Sequence, residues 1–192
     1  MMDKHPAFLE FLTFQPTLSV ARALFGPHVL HRGFTGRVCY PDDPYQETEW
    51  HFHQRIIPDP LPPLFPLPQT MDALLYLDDI TEKNGPLVLV PGSHKWIERD
   101  LQKEDYADKT GQIELCLSAG SCVMTHGSLW HRSKPTQPGG TMRRLLLFGY
   151  GPCHQKPSIY GKKPEDGLTA QLLQQTGLDE ETKELLGVAG FM

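Results

Sequence analysis

Between Pro86 and Pro91 stand four consecutive apolar residues, Leu87-Val88-Leu89-Val90, a run too short for a helix and fenced by prolines on both sides. It reads as a strand. Similar brief runs recur at fairly regular intervals: Met71 to Leu77, Ile113 to Leu117, Ser121 to Thr125 and Arg143 to Tyr150, with Val29 to Tyr40 as one or two strands broken by a turn near Gly33 and Gly36. The 18 prolines and 17 glycines among 192 residues suit short strands joined by turns better than a helical bundle. The expectation is a mainly β sandwich or barrel, a single domain over 1–192 large enough to bury its own core.

Helices are expected only at the two ends. Pro6 to Leu12 forms a short apolar turn, and Pro16 to Phe25 a better helix with Pro16 in its first turn, Leu18, Ala21 and Leu24 on one stripe, and Gly26-Pro27 as its stop. Near the other end Leu168 to Gln175 stops at Gly177, and Asp179 caps a helix to Leu186 that Gly187 ends. Trp96 to Thr110 is charged and reads as a surface helix or insertion, whereas His28 and His31 read as surface or strand-edge residues. Six prolines, at 58, 60, 62, 63, 66 and 68, exclude helix and central strand there and suggest a loop that walls a pocket.

Charge and cysteine usage remove several function classes. A formal net charge of −5 without any basic run lacks the electrostatic footprint of a nucleic-acid binder. Cys39, Cys116, Cys122 and Cys153 show no CxxC spacing, and no apolar stretch is long enough for a signal core or a membrane span. The expectation is a soluble, reducing, cytoplasmic setting with no membrane partner.

Chemistry concentrates in Trp50-His51-Phe52-His53. On an extended segment His51 and His53 share one face while Trp50 and Phe52 take the other. Two imidazoles on one face are half a metal site. The best candidate for the third ligand is His131, in His126-Gly-Ser-Leu-Trp-His131. Three protein ligands leave positions open on the ion, the arrangement of a catalytic rather than a structural metal.

Three ordered stretches carry a resemblance. Tyr76-Leu-Asp-Asp-Ile-Thr-Glu-Lys-Asn-Gly-Pro-Leu-Val-Leu-Val-Pro-Gly-Ser-His94-Lys95, Gly120-Ser-Cys-Val-Met-Thr-His126-Gly-Ser-Leu-Trp-His131-Arg-Ser133, and Arg143-Arg144-Leu-Leu-Leu-Phe-Gly-Tyr150 resemble the signatures of the phytanoyl-CoA dioxygenase family, over roughly residues 6 to 190. The resemblance implies a double-stranded β-helix, or jelly roll, and a non-haem Fe(II) enzyme with 2-oxoglutarate as co-substrate. Molecular oxygen and a small organic substrate would give hydroxylated product, succinate and carbon dioxide. It places the metal on His51, His53 and His131, and the distal carboxylate of 2-oxoglutarate on Arg143 with Ser133 supplying a hydroxyl. A guanidinium fork suits that role, and if Arg143 faces inward, strand parity turns Arg144 outward and Leu145 inward. His126 falls where the family has a polar residue before a glycine turn, near the ligands rather than among them. Asn84-Gly85 and Pro91-Gly92-Ser93-His94 read as turn chemistry, and Asp78 and Asp79 as braces for the loop after their strand.

The chain departs from the family at one point. The His-x-Asp motif falls on His51-Phe52-His53, so a third imidazole replaces the carboxylate. A register starting at His53 would put Arg55 where an anion is needed, and Trp50 supports the first register. Three neutral imidazoles leave the ion one unit more positive than two histidines and a carboxylate do. Glu49 has the parity of the histidines and is the runner-up ligand or a supporting partner. The alternatives are a catalytically degenerate jelly roll that binds a small molecule or metal, and a three-histidine cupin-type dioxygenase that does not use 2-oxoglutarate. The family has more chain before the helix at Pro16, so the resemblance also implies a shortened member. Substrate identity and oligomeric state are not encoded in these motifs.

Overall fold

The computed structural model describes residues 1–41, 43, 46–54, 60, 63, 68–96, 104–155, 167–175 and 177–188. The chain divides into two compact units, one of Met1–Thr35 with Leu147–Met192 and one of Gly36–Leu146. The boundaries fall inside two long strands, β1 (Val29–Cys39) and β7 (Arg143–Pro152).

The first unit holds the helices. A 3-10 turn at Pro6–Phe11 precedes α1 (Gln15–Phe25), which carries Pro16 in its first turn, buries Thr17, Leu18 and Ala21, and stops at Gly26 (φ +96°). Leu24 does not join that stripe. It is 51% exposed, and Thr17 completes the buried face instead, its hydroxyl 3.0 Å from the Tyr150 phenol oxygen. Phe11, Phe34 and Phe148 pack ring against ring at 5.3 to 5.8 Å, tilted rather than stacked, as the aromatic quadrupole favours. α2 (Leu168–Gln174) and α3 (Glu180–Leu185) follow, and the Asp179 carboxylate caps α3 by accepting the Thr182 N–H at 2.8 Å. His31 is buried against Phe34 and Tyr150 on β1, so of the surface or strand-edge position expected for it the exposure is corrected while β1 does stand at the end of its sheet order, whereas His28 is exposed. A lone polar residue in an aromatic strand environment is carried inside by its neighbours.

The second unit carries the remaining strands: β2 (Met71–Tyr76), β3 (Leu87–Leu89), β4 (Ile113–Leu115), β5 (Cys122–His126) and β6 (His131–Ser133). They form two sheets, ordered β1-β7-β2-β5 and β4-β3-β6. β2 pairs antiparallel with β5 (Met71 opposite His126), and β3 antiparallel with both β4 (Leu87 opposite Leu115) and β6 (Leu89 opposite His131). β3 is therefore the central strand its fully apolar run implies, buried along its length. β1 runs unbroken for 11 residues, so Gly33 and Gly36 do not interrupt it. Of Trp96 to Thr110, residues 97–103 lie outside the described residues and 104–110 contain no helix. Most of the proline loop, 58–59, 61–62 and 64–67, also lies outside them. Among the described residues no helix is long and apolar enough to cross a membrane.

Trp50, Phe52, Val88, Val90 and Trp130 form one buried cluster. Trp50 and Phe52 are each 1% exposed, and burying such side chains contributes roughly 1.5–3 kcal/mol apiece. This cluster anchors the far side of the segment that carries His51 and His53. The other anchor is Gly127, whose carbonyl accepts the N–H groups of His53 and Gln54, both at 2.8 Å, while its own N–H donates to the Thr70 carbonyl at 2.8 Å. A Cβ at this position would lie 1.8 Å from Thr70 Oγ1 and 3.0 Å from the Thr70 carbonyl oxygen. Gly127→Ala is expected to cost about 1–3 kcal/mol, the range for forcing an extra methyl into packed structure, read as a lower urea midpoint. An unchanged midpoint would contradict this close approach.

Candidate metal centre

The site is built on one backbone exchange. His51 N–H donates to the His131 carbonyl and His131 N–H to the His51 carbonyl, both at 3.0 Å, an isolated antiparallel bridge. Residues directly opposite in such a pair project to the same face, so both imidazoles leave the backbone side by side. Their ring centroids are 4.3 Å apart. His53, two residues on, returns to that face with its ring 5.4 Å from His51 and 4.9 Å from His131. The candidate ligand atoms of the three lie within 4.8 Å of one another. The alternation expected along 50–53 thus holds although no regular strand forms there: Trp50 and Phe52 enter the core while His51 and His53 stay half-buried beside the buried His131.

Hydrogen bonding selects the tautomers. His51 Nδ1 is 2.8 Å from the Glu49 carbonyl oxygen, and His131 Nδ1 is 2.8 Å from the Leu129 carbonyl oxygen. A carbonyl oxygen can only accept, so each Nδ1 carries a proton and, in the neutral ring, Nε2 is the nitrogen that bears the lone pair. His53 Nδ1 lies 2.7 Å from Asp72 Oδ2, with the same consequence. Burial, followed by the neighbouring His51 and His53, holds the His131 pKa well below its ordinary value of 6.5. At neutral pH His131 therefore offers a lone pair rather than a second proton. Three imidazoles whose candidate ligand atoms lie within 4.8 Å of one another fit a first-row transition metal.

Arg143 opens β7 and is 2% exposed. Its Nη2 donates to Cys39 Sγ at 3.3 Å and to the Gln46 carbonyl at 3.1 Å, while its buried Nε has no hydrogen-bond partner. No carboxylate among the described residues pairs with it, an expensive way to bury a cation and a suitable one for receiving an anion. Arg37 Nη2 donates to the same Gln46 carbonyl at 2.8 Å, so two guanidinium groups meet at one oxygen. Tyr76 is buried near them; burial pushes its pKa up to about 12 against a smaller opposing pull from Arg143 and Arg37, which keeps the phenol protonated. Gly85 (φ +77°) makes room for this guanidinium, since a Cβ there would lie 2.5 Å from Arg143 Nη1. Arg144 points outward onto Asp78, with Nη2 and Oδ1 2.6 Å apart.

Other expected residues take different places. Ser133 is half-buried and bound to Thr48, its N–H donating to Thr48 Oγ1 at 2.8 Å and the two hydroxyl oxygens lying 3.1 Å apart; it makes no hydrogen bond to Arg143. The Glu49 carboxylate accepts the Glu104 N–H at 2.6 Å and does not join the imidazole group, so Glu49 serves His51 through its backbone carbonyl. His126 accepts the Ser128 N–H on Nδ1 at 2.9 Å and packs on His94, apart from the three histidines. Arg55, the cation of the rejected register, lies outside the described residues. Asp72, Arg37 and the clearance at Gly85 were not anticipated. Only Asp72 left a trace in the sequence, as the one charged residue in Met71-Asp-Ala-Leu-Leu-Tyr76.

The fold and the site define a jelly roll with a three-histidine cluster of metal-binding geometry. The sequence model of the phytanoyl-CoA dioxygenase family, PhyH, matches residues 2–145, and the chain belongs to that family. It is 26% identical over 186 residues to Dioxygenase af480 of Aspergillus fumigatus, a match covering 95% of this chain and 56% of that protein. The chain thus spans little more than half of that relative. Among solved structures it is similar to the non-haem monooxygenase ThoJ in complex with nickel, at 19% identity, TM-score 0.55, and coverage of 83% of this chain and 66% of the other. It is also similar to HygX from Streptomyces hygroscopicus with nickel and 2-oxoglutarate bound, at 18% identity, TM-score 0.63, and coverage of 80% and 70%. These likenesses establish the mainly β, jelly-roll fold.

The lowered pKa of His131 has a consequence for stability. An unfolded chain protonates this residue near 6.5 while the fold keeps it neutral to lower pH, so the unfolded state binds the extra proton between the two values. Its contribution is complete above that ordinary value and declines as pH falls through the window below it, by at most roughly 1.4 kcal/mol per pH unit. The urea midpoint of the metal-free protein is expected to fall over that window, and His131→Gln to flatten the fall. Identical profiles for the two proteins would contradict a neutral, buried His131.

Proposed function

We propose that the protein is a non-haem Fe(II)- and 2-oxoglutarate-dependent dioxygenase that hydroxylates a small organic substrate. The observation that carries this reading is the cluster of His51, His53 and His131, whose candidate ligand atoms lie within 4.8 Å of one another while each Nδ1 is within hydrogen-bond distance of an oxygen. Bound iron together with 2-oxoglutarate supplies the oxygen-activating chemistry. The chain supplies the positions. His51 and His131 are held by the reciprocal backbone pair, and His53 by the Gly127 carbonyl and Asp72. Arg143, buried and with no carboxylate partner among the described residues, takes the distal carboxylate of 2-oxoglutarate, and the neutral Tyr76 phenol nearby adds no repelling charge. Ser133, fixed by Thr48, offers its hydroxyl to the same carboxylate.

A second reading has one observation in its favour. An imidazole stands where the family has a carboxylate, as in three-histidine dioxygenases that need no 2-oxoglutarate. Anaerobic addition of Fe(II) and 2-oxoglutarate separates the readings: a weak visible charge-transfer band and succinate release on admitting oxygen are expected. Arg143→Ala is expected to raise the Kd for 2-oxoglutarate by about 30-fold or more while leaving metal binding in place, as removal of a buried charged partner does. Gly85→Ala, which crowds the guanidinium, is expected to move the same Kd in the same direction. Oxygen uptake with unchanged turnover in Arg143→Ala would favour the second reading, and metal binding without any turnover would favour a degenerate binding protein.

A further inference from the structure

The three imidazoles do not have equivalent supports. His51 and His131 donate from Nδ1 to backbone carbonyls two residues earlier in the chain, both neutral acceptors. His53 differs among the described contacts in donating to a carboxylate, Asp72 Oδ2 at 2.7 Å. His53 is also the residue that stands where the family carries its carboxylate ligand. We propose that Asp72 is a positioning residue that returns to the metal centre, through His53, the negative charge that the change from carboxylate to imidazole removes. The inference rests on the reading that His51, His53 and His131 hold a metal ion.

The placement of Asp72 supports it. Asp72 lies within β2, opposite Thr125 of β5, between the buried Met71 and Ala73. β2 has a hydrogen-bonded neighbour on each side, β7 and β5, so the carboxylate projects from a strand held on both edges. Its side chain is only 22% exposed, and no Lys or Arg among the described residues forms an ion pair with it. A carboxylate in such a place needs a partner, and His53 is that partner. An imidazole that donates to a carboxylate is fixed in orientation and becomes a more basic ligand. With Asp72 counted, an ion of charge +2 is offset by one carboxylate, as it is by two histidines and a carboxylate. The anion is moved outward by one ring.

Cobalt(II), added to metal-free protein, is the probe, with affinity read by chelator competition and the ligand field by visible absorption. Wild type, Asp72→Asn, His53→Asp and the double variant are compared, together with the urea midpoints of their metal-free forms. Asp72→Asn is expected to weaken cobalt binding about 10- to 100-fold and to shift the absorption bands, with a metal-free midpoint near that of wild type. In the His53→Asp background there is no imidazole to support, so Asp72→Asn is expected to have no effect or to strengthen binding. An unchanged affinity and spectrum in Asp72→Asn would overturn the role of Asp72 alone, and so would an equal loss in both backgrounds, which marks a merely structural effect. Failure of wild type to bind cobalt, or equal binding by His131→Ala, would instead overturn the metal-site reading and the proposal with it.

Discussion

The reciprocal hydrogen bonds between His51 and His131 are the constraint from which the site follows. Two N–H to carbonyl bonds at 3.0 Å join segments that are far apart in the chain, and the geometry of that pair puts both imidazoles on one face. Everything else adjusts to it. Phe52 and Trp50 fill the core on the opposite face, Trp130 enters the same cluster from the partner segment, and His53 returns to the face of His51 because it is two residues on. The apolar and the ligating halves of the segment are thus one structural decision. Packing of Trp50, Phe52 and Trp130 fixes the direction in which the histidines point.

Charge is arranged with the same economy. Arg143 and Arg144 are adjacent, yet one is buried among a thiol and a carbonyl and the other is exposed on Asp78. Strand alternation separates them, and the Asp78 pair adds little to stability at that exposure. The buried cation is the consequential one. Among the described residues no carboxylate pairs with it, and the cluster of His51, His53 and His131 contains no carboxylate donor. Asp72 is the anion that meets the cluster, its carboxylate 2.7 Å from His53 Nδ1.

Much of the fold was legible because its signals are local. Pro86 and Pro91 bound a strand whatever surrounds them, Gly26 stops a helix, and Asp179 caps one through its own side chain. Burial is less legible because it depends on neighbours: Leu24 falls on the apolar stripe of its helix and is exposed, and His31, a polar residue of a strand, is buried beside aromatic rings. Composition cannot say which side of a short helix or strand meets the core when several residues have borderline hydrophobicity.

The sequence by itself determined the β-rich class, the shared face of His51 and His53, and the opposite faces of Arg143 and Arg144, because these follow from the period of an extended backbone. Only the tertiary structure decided that His131 stands across from His51, that Asp72 rather than Glu49 supports the cluster through its carboxylate, and that Gly85 and Arg37 bound the space around Arg143. These are contacts between segments far apart in sequence. No local rule encodes them, since they depend on which strands pair and in what register.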